Sequence, residues 1–524
     1  MGVIQRIKNW WNKGGNNLMA MFQNETYEHI LDHPKINFDQ SELRRIEQTF
    51  KHYKGDYPDV SYLNTKRERR NRPYKSINMT KIVAEHLATL VFNEQCKINV
   101  GSADEETGEY PDTPEAEFVK EILERNDFKK NLSKYLEPTY ATGGLVVRPY
   151  YDAGSKQIEF SWCLADAFIP LRNNTNSISE GCIPTYTTLV TDGVTHHYTL
   201  LEFHEWIDDL YVISNELYKS SEKDRLGTRV PLSDLKAYAD LEPITPIEGL
   251  SRPLFSYFKP SGFNNINPHS PLGLGLLDNS RSTVTAINDT YDEFNWEIKD
   301  GKRRMIISDH FLKSAEIGES RPQQVFDDQS SAFIALPGKI DEMIYKDLTH
   351  NIRSSQYIES INKLFQTLEM EVGLSTNTFT YQADSGVTTA TEVVSKDSKT
   401  FRTRNKHVAE LRDSIRDLII STFELAKFVK VDGKAIYSGN IPSRDEIGID
   451  FDDGVFNDKQ SELDFLSTAK LNSFIPEIEA IQRLFDVPLA TAKEWQEMIK
   501  KDRLDAMPDM QQAMSESSML GAEE

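Results

Sequence analysis

Two stretches of this chain carry the same narrow apolar stripe. Within residues 277–298, Val284, Ile287, Tyr291, Phe294 and Ile298 are spaced 3, 4, 3, 4. Within 351–373, Ile358, Ile361, Phe365, Leu368 and Val372 repeat that spacing. Such spacing puts each set on one face of an α-helix. At 1.5 Å per residue the first helix spans about 33 Å, and Asp300-Gly301 ends it. Each helix has one seam and a broad polar remainder. A chain built this way needs something to lay against each seam. The pattern predicts a helix pair standing side by side with copies of itself. Val284, Ile287, Tyr291 and Phe294 would supply one packing surface, and Ile358, Ile361, Phe365 and Leu368 the other. Residues 301–350 between them read as short strands and loops, including 303–308 and 332–336.

The rest of the chain arranges itself around that pair. A polar loop, 375–386, follows the second helix. Thr389 and Glu392 form a T-x-x-E capping box that opens a third helix reaching about residue 430. Its apolar face is Val408, Leu411, Ile415, Leu418 and Ile419, and Asp432-Gly433 stops it. Residues 446–452 alternate as a strand. Helices are predicted over 459–471, 476–485 and 490–503, with Pro476 suited to a first turn. Upstream, helices are expected over 41–53, with Ser41 as N-cap, and over 78–92, 115–126 and 131–142, the last kinked by Pro138. Residues 143–220 are rich in Val, Ile, Tyr, Thr and Trp, with turn signals between, and predict an antiparallel meander. Residues 225–262 read mostly as loop, with one Tyr-Phe run at 255–258. The fold class is α+β, mainly α, in roughly three or four folding units.

Charge and composition narrow the function. The chain has 60 basic and 82 acidic residues, a formal net charge of −22. The first 81 residues carry 15 basic and 9 acidic side chains, net +6, which leaves −28 for the remainder. Tight nucleic-acid binding needs clustered Lys and Arg, so the chain does not read as a DNA-gripping protein. An acidic surface is compatible with DNA as a passenger that slides. The basic run Lys66, Arg67, Arg69, Arg70, Arg72 and Lys75 is open to three readings: a solvated loop, pairing with an acidic neighbouring subunit, or phosphate contact. Ile4, Ile7, Trp10 and Trp11 give the N-terminus a short apolar face, for docking a partner or membrane surface or for packing on its own protein. No signal peptide or transmembrane stretch is expected. Cys96, Cys163 and Cys182 lack metal or disulfide spacing and fit a reducing cytoplasm.

Catalytic signatures are missing. The sequence has no Walker A, HExxH, GxSxG or EF-hand pattern. Gly273 and Gly275 lack the Lys-Ser/Thr that a phosphate loop requires. His196, His197 and His204 cluster, but His197 and His204 fall on opposite faces of a strand. Adjacent Asp208-Asp209 and Asp452-Asp453 do not form a shared metal site on a strand. No enzyme, cofactor or metal site is expected.

The stretch Gly386-Val387-Thr388-Thr389-Ala390-Thr391-Glu392-Val393 resembles a G-x-[KT]-T-A-T-E-[IV] sequence common in portal proteins of long-tailed phages of Gram-positive bacteria. Asp450-Phe451-Asp452-Asp453, with Val455 and Asp458, also looks like that family, and the element order matches from about Ser41 to Arg503. The resemblance implies a portal fold in a dodecameric ring at one capsid vertex, carrying DNA in packaging and ejection. It implies an N-terminal arm (1–40), a wing (41–268 and 388–455), stem helices (269–300 and 351–373), a clip (301–350), a tunnel loop (374–387), a crown (456–505) and a disordered tail (506–524). Thr376, Asn377, Thr378, Gln382 and Ser385 would face DNA, and Lys302, Arg303 and Arg304 would meet partners at the clip. Implied partners are the terminase large subunit, a head-completion adaptor, and major capsid and scaffold proteins. Double-stranded DNA would pass without sequence-specific binding. The expected location is the virion, with assembly in the host cytoplasm. The alternative is a minor capsid or scaffold-binding structural protein without a channel.

Overall fold

The computed structural model describes residues 26–64, 67–93, 95–101, 110–174, 177–191, 193–301, 305–308, 333–336, 345–347, 351–381, 390–451, 459–485 and 487–505. In chain order, β1 (Thr26–Tyr27) and α1 (Gln40–Lys54) lead to a hairpin of β2 (Val60–Leu63) and β3 (Arg69–Arg72). Then come α2 (Met79–Val91), β4 (Lys97–Val100), α3 (Pro114–Arg125) and α4 (Phe128–Thr142). Strands follow: β5 (Leu145–Asp152), β6 (Gln157–Leu164), β7 (Ile169–Asn173), β8 (Ile178–Thr191), β9 (Val194–Ile207), β10 (Leu210–Ser220), β11 (Gly227–Val230), β12 (Ile244–Ile247) and β13 (Ser256–Phe258). Next are α5 (Arg281–Asp300), β14 (Met305–Ser308), β15 (Phe333–Leu336), β16 (Tyr345–Asp347) and α6 (Ser354–Val372). The 39-residue α7 (Ala390–Phe428), β17 (Lys430–Val431), β18 (Lys434–Ala435), β19 (Ile447–Asp450), α8 (Lys459–Leu471), α9 (Glu477–Phe485) and α10 (Leu489–Asp505) complete the described elements. The chain is an α+β protein. By contacts it divides into two units: Met1–Glu47, Ala84–Gly275 and Val387–Glu524 form one, and Gln48–Val83 with Leu276–Gly386 the other.

The first unit is organised by an antiparallel sheet in the order β1-β11-β10-β9-β8-β7, with β12 also on β10. The expected meander is present, and the tight turn at Asp208-Asp209 joins β9 to β10 with Asp208 in the left-handed region (φ 55°). One face buries Leu201, Phe203 and Tyr218 with Ile36, Ile169, Cys182 and Leu226. A three-stranded sheet, β13-β5-β6, lies against α7. The predicted α7 face is buried at Val408, Leu411, Ile415, Leu418 and Ile419, and extends to Phe423. Ser256 Oγ donates to the Ser414 carbonyl at 2.7 Å, and Ser414 Oγ donates to the Tyr257 carbonyl at 3.1 Å, which fixes the helix on the sheet. Thr113 caps α3 by accepting from Ala116 N at 3.2 Å, with Pro114 in the first turn. Gly143 ends α4 at φ 97°, and a Cβ there would meet the Gly273 carbonyl oxygen at 2.5 Å, so only glycine fits.

Each face of the sheet also holds a buried carboxylate. Glu216 lies 3.0 Å from His33 Nε2, accepts from Tyr218 OH at 2.9 Å and is 3.5 Å from Arg229. Glu202 lies 2.6 Å from His204 Nε2 and 2.8 Å from Arg148 Nη1. Burial would raise both carboxyls, but the Arg148 charge and His204 hold Glu202 at about 2. His33 and Arg229 do the same for Glu216, also at about 2. Such pairs can cost as much desolvation as they return, so their clear effect is on what happens when one partner is lost.

The second unit contains α5 and α6, the β2–β3 hairpin, and the β15-β14-β16 sheet, in which β14 runs parallel to β15 and antiparallel to β16.

Several expectations need revision. Helix α1 starts at Gln40, and Asp39 rather than Ser41 serves its start, accepting from Ser41 N at 2.8 Å. The first stem-type helix starts at Arg281 rather than 277, because Asp278–Ser280 form a 3-10 turn in which Asp278 accepts from Thr49 and Arg281, each at 2.8 Å. The mostly-loop reading of 225–262 left out β11 and β12, whose pairing comes from neighbouring strands rather than from their own pattern, while the Tyr-Phe run at 255–258 contains β13. Half of the basic run is strand β3. Residues 48–83, within the 41–268 segment, cluster by contacts with the helix pair. The N-terminal apolar face, the 506–524 tail and Asp452-Asp453 lie outside the described residues.

Glu202 and Glu216 titrate lower in the folded chain than the ordinary 4.5. Their stabilisation is therefore complete above about pH 4.5 and is lost as pH falls toward 2. Thermal unfolding followed across that range should show Tm dropping steeply, and Glu216→Gln should be less stable at neutral pH with a flatter acid limb. An unchanged pH profile in the variant would contradict this assignment.

Candidate functional site

The helix pair is held by its own seams. Val284 and Ile287 of α5, with Leu277 before it, bury against Ile361, Phe365 and Leu368 of α6. Met79 and Val83 complete the cluster, and Tyr291 packs on it half-buried. Phe294 is half-buried, its ring 5.3 Å from Tyr357, while Ile298 and Ile358 are exposed. The expectation that both seams await a second copy is corrected here. Their central residues satisfy one another within one chain, because 77–83 supplies the third side of the core. Polar groups close the edges. Asn288 is fully buried, accepting from Ile77 N at 3.0 Å and donating to Tyr57 OH at 3.2 Å. Arg72 makes a bidentate pair with Asp292 at 2.6 and 2.5 Å, and Lys75 N adds a bond at 3.0 Å. The Arg72 guanidinium holds the Asp292 carboxyl below its usual range.

At the outer end of the pair, Arg353 donates to Glu297 from Nη2 at 2.7 Å and from its backbone N at 2.9 Å. Those bonds hold the Glu297 carboxyl at about 2. The two helices are thus clamped where the 301–350 insert leaves and returns.

At the other end of α6, Gly373 takes φ 78° and the chain turns back along the helix. The buried Glu369 carboxylate accepts from Asn377 N at 2.7 Å and from Phe379 N at 2.6 Å. Asn362 binds both backbone groups of Tyr381, at 3.1 and 3.0 Å. Gln366 donates to Asn377 Oδ1 at 3.2 Å, and Thr378 Oγ1 donates to the Ser375 carbonyl at 2.7 Å. Residues 375–381 are therefore a pinned segment, with Thr376 and Asn377 exposed and Thr378 half-buried. Asn377 adopts φ 71°, a region asparagine tolerates better than most residues. Of the sequence-predicted residues, Gln382 and Ser385 of this loop, and Lys302, Arg303 and Arg304 of the insert, lie outside the described residues. Glu369, Asn362, Asn288 and the Arg353–Glu297 pair were missed. The available signal was a carboxylate at Glu369 next to the seam position Leu368, where helical spacing predicts burial.

Among the described residues no group of His, Cys, Asp and Glu is placed to hold a metal ion, and no helix is long and apolar enough to cross a membrane. His204 is bonded to Glu202 and lies 2.8 Å from Tyr211 OH, while His197 faces Thr188 at 3.0 Å. What the arrangement offers is a clamped helix pair, an insert at one end and a tethered polar loop at the other.

Comparison with known proteins assigns that arrangement to a class of phage structural subunits. The family model described as "Phage portal protein, SPP1 Gp6-like" matches residues 32–503, and the chain belongs to this family. Portal proteins are structural components of the phage particle rather than enzymes. Among solved structures the chain is similar to one titled "Neck of empty GTA particle computed with C6 symmetry". The two are 12% identical, 78% of this chain and 89% of that chain are covered, and the TM-score is 0.36. No curated protein matches the chain.

Replacing Glu369 by Ala removes both carboxylate oxygens, each the acceptor for one backbone donor, at a cost on the order of 2–3 kcal/mol. Hydrogen exchange at the Asn377 and Phe379 amides should accelerate at least about tenfold, with far-UV circular dichroism unchanged. Equal protection in the variant would show that the loop is held by other means.

Proposed function

We propose that this portal protein assembles as a dodecameric ring around a channel through which double-stranded DNA enters and leaves the capsid. The observation that carries the reading is the family match over 32–503, which spans the helix, insert, helix, loop, long-helix order. In this reading α5 and α6 are stem helices, 301–350 the clip and 374–387 the tunnel loop. Residues 41–268 with 388–455 form the wing, and 456–505 the crown. The clip receives the terminase large subunit during packaging and a head-completion adaptor afterwards, with Lys302, Arg303 and Arg304 at that contact. Major capsid and scaffold proteins surround the wing.

The chemistry of the loop fits a passage that does not grip. Residues 375–381 contain no charged side chain. Thr376 and Asn377 offer neutral groups that make and break contacts with phosphate cheaply, whereas each fixed cation would add a counterion-release step. The net charge of −22 works in the same direction. Tethering to Glu369 and Asn362 would keep this neutral segment at a constant height on α6.

Negative-stain microscopy of the purified chain tests the ring. Rings with a stain-filled centre are expected, and a field of single globules at every concentration would refute it. Thr376→Lys tests the loop: in a packaging assay DNA filling should slow several-fold, more so at low salt. Filling at the unaltered rate would remove the loop from the DNA path.

A further inference from the structure

The β2–β3 hairpin is the part of the basic run that the function above leaves unused. Its two faces differ. Tyr62 and Arg72 point to one side, where the Tyr62 ring lies 5.3 Å and the Arg72 guanidinium 4.6 Å from Trp296 of α5. Alternation along the strands sends Ser61, Leu63, Arg69 and Asn71 to the other side, and all four are exposed. Leu63 and Arg69 are direct cross-strand partners, and Leu63 is 67% exposed. Arg67, at φ 60° in the turn, stands beside them, also exposed. Among the described residues neither Arg67 nor Arg69 has an ion-pair partner.

The same unit carries the opposite charge elsewhere. Asp289 and Glu293 are one turn apart and exposed on α5, away from the seam residues Val284 and Ile287. The outward hairpin face points away from its own α5, so the two surfaces cannot close on each other within one chain. Resting on the ring reading above, we propose that Leu63, Arg67 and Arg69 of one copy dock on the acidic face of α5, Asp289 and Glu293, of a second copy. This contact is heterologous, as a closed ring requires. Its composition is that of a protein interface: arginines around an exposed leucine. A phosphate-binding surface gains nothing from Leu63, and the net charge of −22 repels a polyanion.

The test uses the full chain as wild type, Arg67→Glu/Arg69→Glu, Glu293→Arg, and the three changes combined. Asp289 is left alone because it accepts from Tyr74. Native mass spectrometry and sedimentation measure assembly between about 0.1 and 1 M salt, and circular dichroism checks folding. Each charge reversal should weaken assembly about tenfold or more at low salt, the combined variant should recover most of that loss, and wild-type assembly should weaken as salt rises. Folded reversal variants that assemble like wild type would overturn the contact, as would a combined variant no better than either parent. A wild type that is monomeric at every salt concentration would instead overturn the ring reading itself. Wild-type retardation of a blunt DNA duplex that is lost in Arg67→Glu/Arg69→Glu, with assembly intact, would give the hairpin to DNA and reject the proposal.

Discussion

Val284 and Ile287 on α5 meet Ile361, Phe365 and Leu368 on α6, with Met79 and Val83 wedged in from a much earlier part of the chain. Full burial of side chains like these contributes about 1.5–3 kcal/mol each, on the order of 10–20 kcal/mol for the group before conformational entropy is subtracted. The rest of the second unit is arranged to protect that cluster. Asn288 and Asp292 take the backbone amides of Ile77 and Lys75, which hold the incoming segment against α5. Arg353 and Glu297 stop the helices splaying at one end, and Glu369 folds the following loop down at the other. Since the central seam residues bury one another within the chain, a contact between copies has to use the remaining surface, which is mainly polar and charged with a few exposed apolar side chains such as Leu63, Ile298 and Ile358.

The first unit solves a different problem. The middle of its sheet is covered on both sides, so the alternation of β9 and β10 there leaves polar positions with no solvent to face. Glu202 and Glu216, on neighbouring strands and opposite faces, are the result. Each is kept ionised by a cation and a histidine packed against it. These contacts tie distant segments to the sheet: His33 brings in the stretch after β1, and Arg148 comes from β5. Ion pairs of this kind specify which segment covers which face, while apolar contacts such as those of Phe203 and Tyr218 supply most of the stabilisation.

Helical spacing was the readable part of the sequence. The seams, the α7 face and the last three helices follow from 3.6-residue periodicity, and α8 matches its predicted bounds at 459–471. The short strands β11 and β12 were not readable, because strands of four residues have too few positions to show alternation and exist through their neighbours. The partner of each seam was not readable either. Periodicity says that a face is buried and says nothing about what buries it, so a neighbouring copy and residues 77–83 were equivalent until the chain was folded. The polar loop after α6 could be recognised by composition, but its tether could not. Helical spacing marks Glu369, beside Leu368, as a buried carboxylate, but it does not say that the donors it meets are the backbone amides of Asn377 and Phe379. The family resemblance reached the element order through the stretch at 386–393, the first half of which lies outside the described residues.

Charge placement gives the last constraint. Many arginines of the described chain are already engaged: Arg72 with Asp292, Arg148 with Glu202, Arg252 with Asp417, Arg281 with Asp278 and Arg353 with Glu297. An acidic protein whose cations are engaged internally presents a surface with little affinity for phosphate, which would suit the proposed passage of DNA. The same arithmetic leaves adjacent copies repelling one another wherever acidic faces meet. An uncommitted pair of arginines beside an exposed leucine, on a hairpin turned away from its own helix, is therefore worth most where two such acidic surfaces approach. Neutralising Asp289 and Glu293 there lowers the repulsion between neighbours without placing a free cation where DNA would find it.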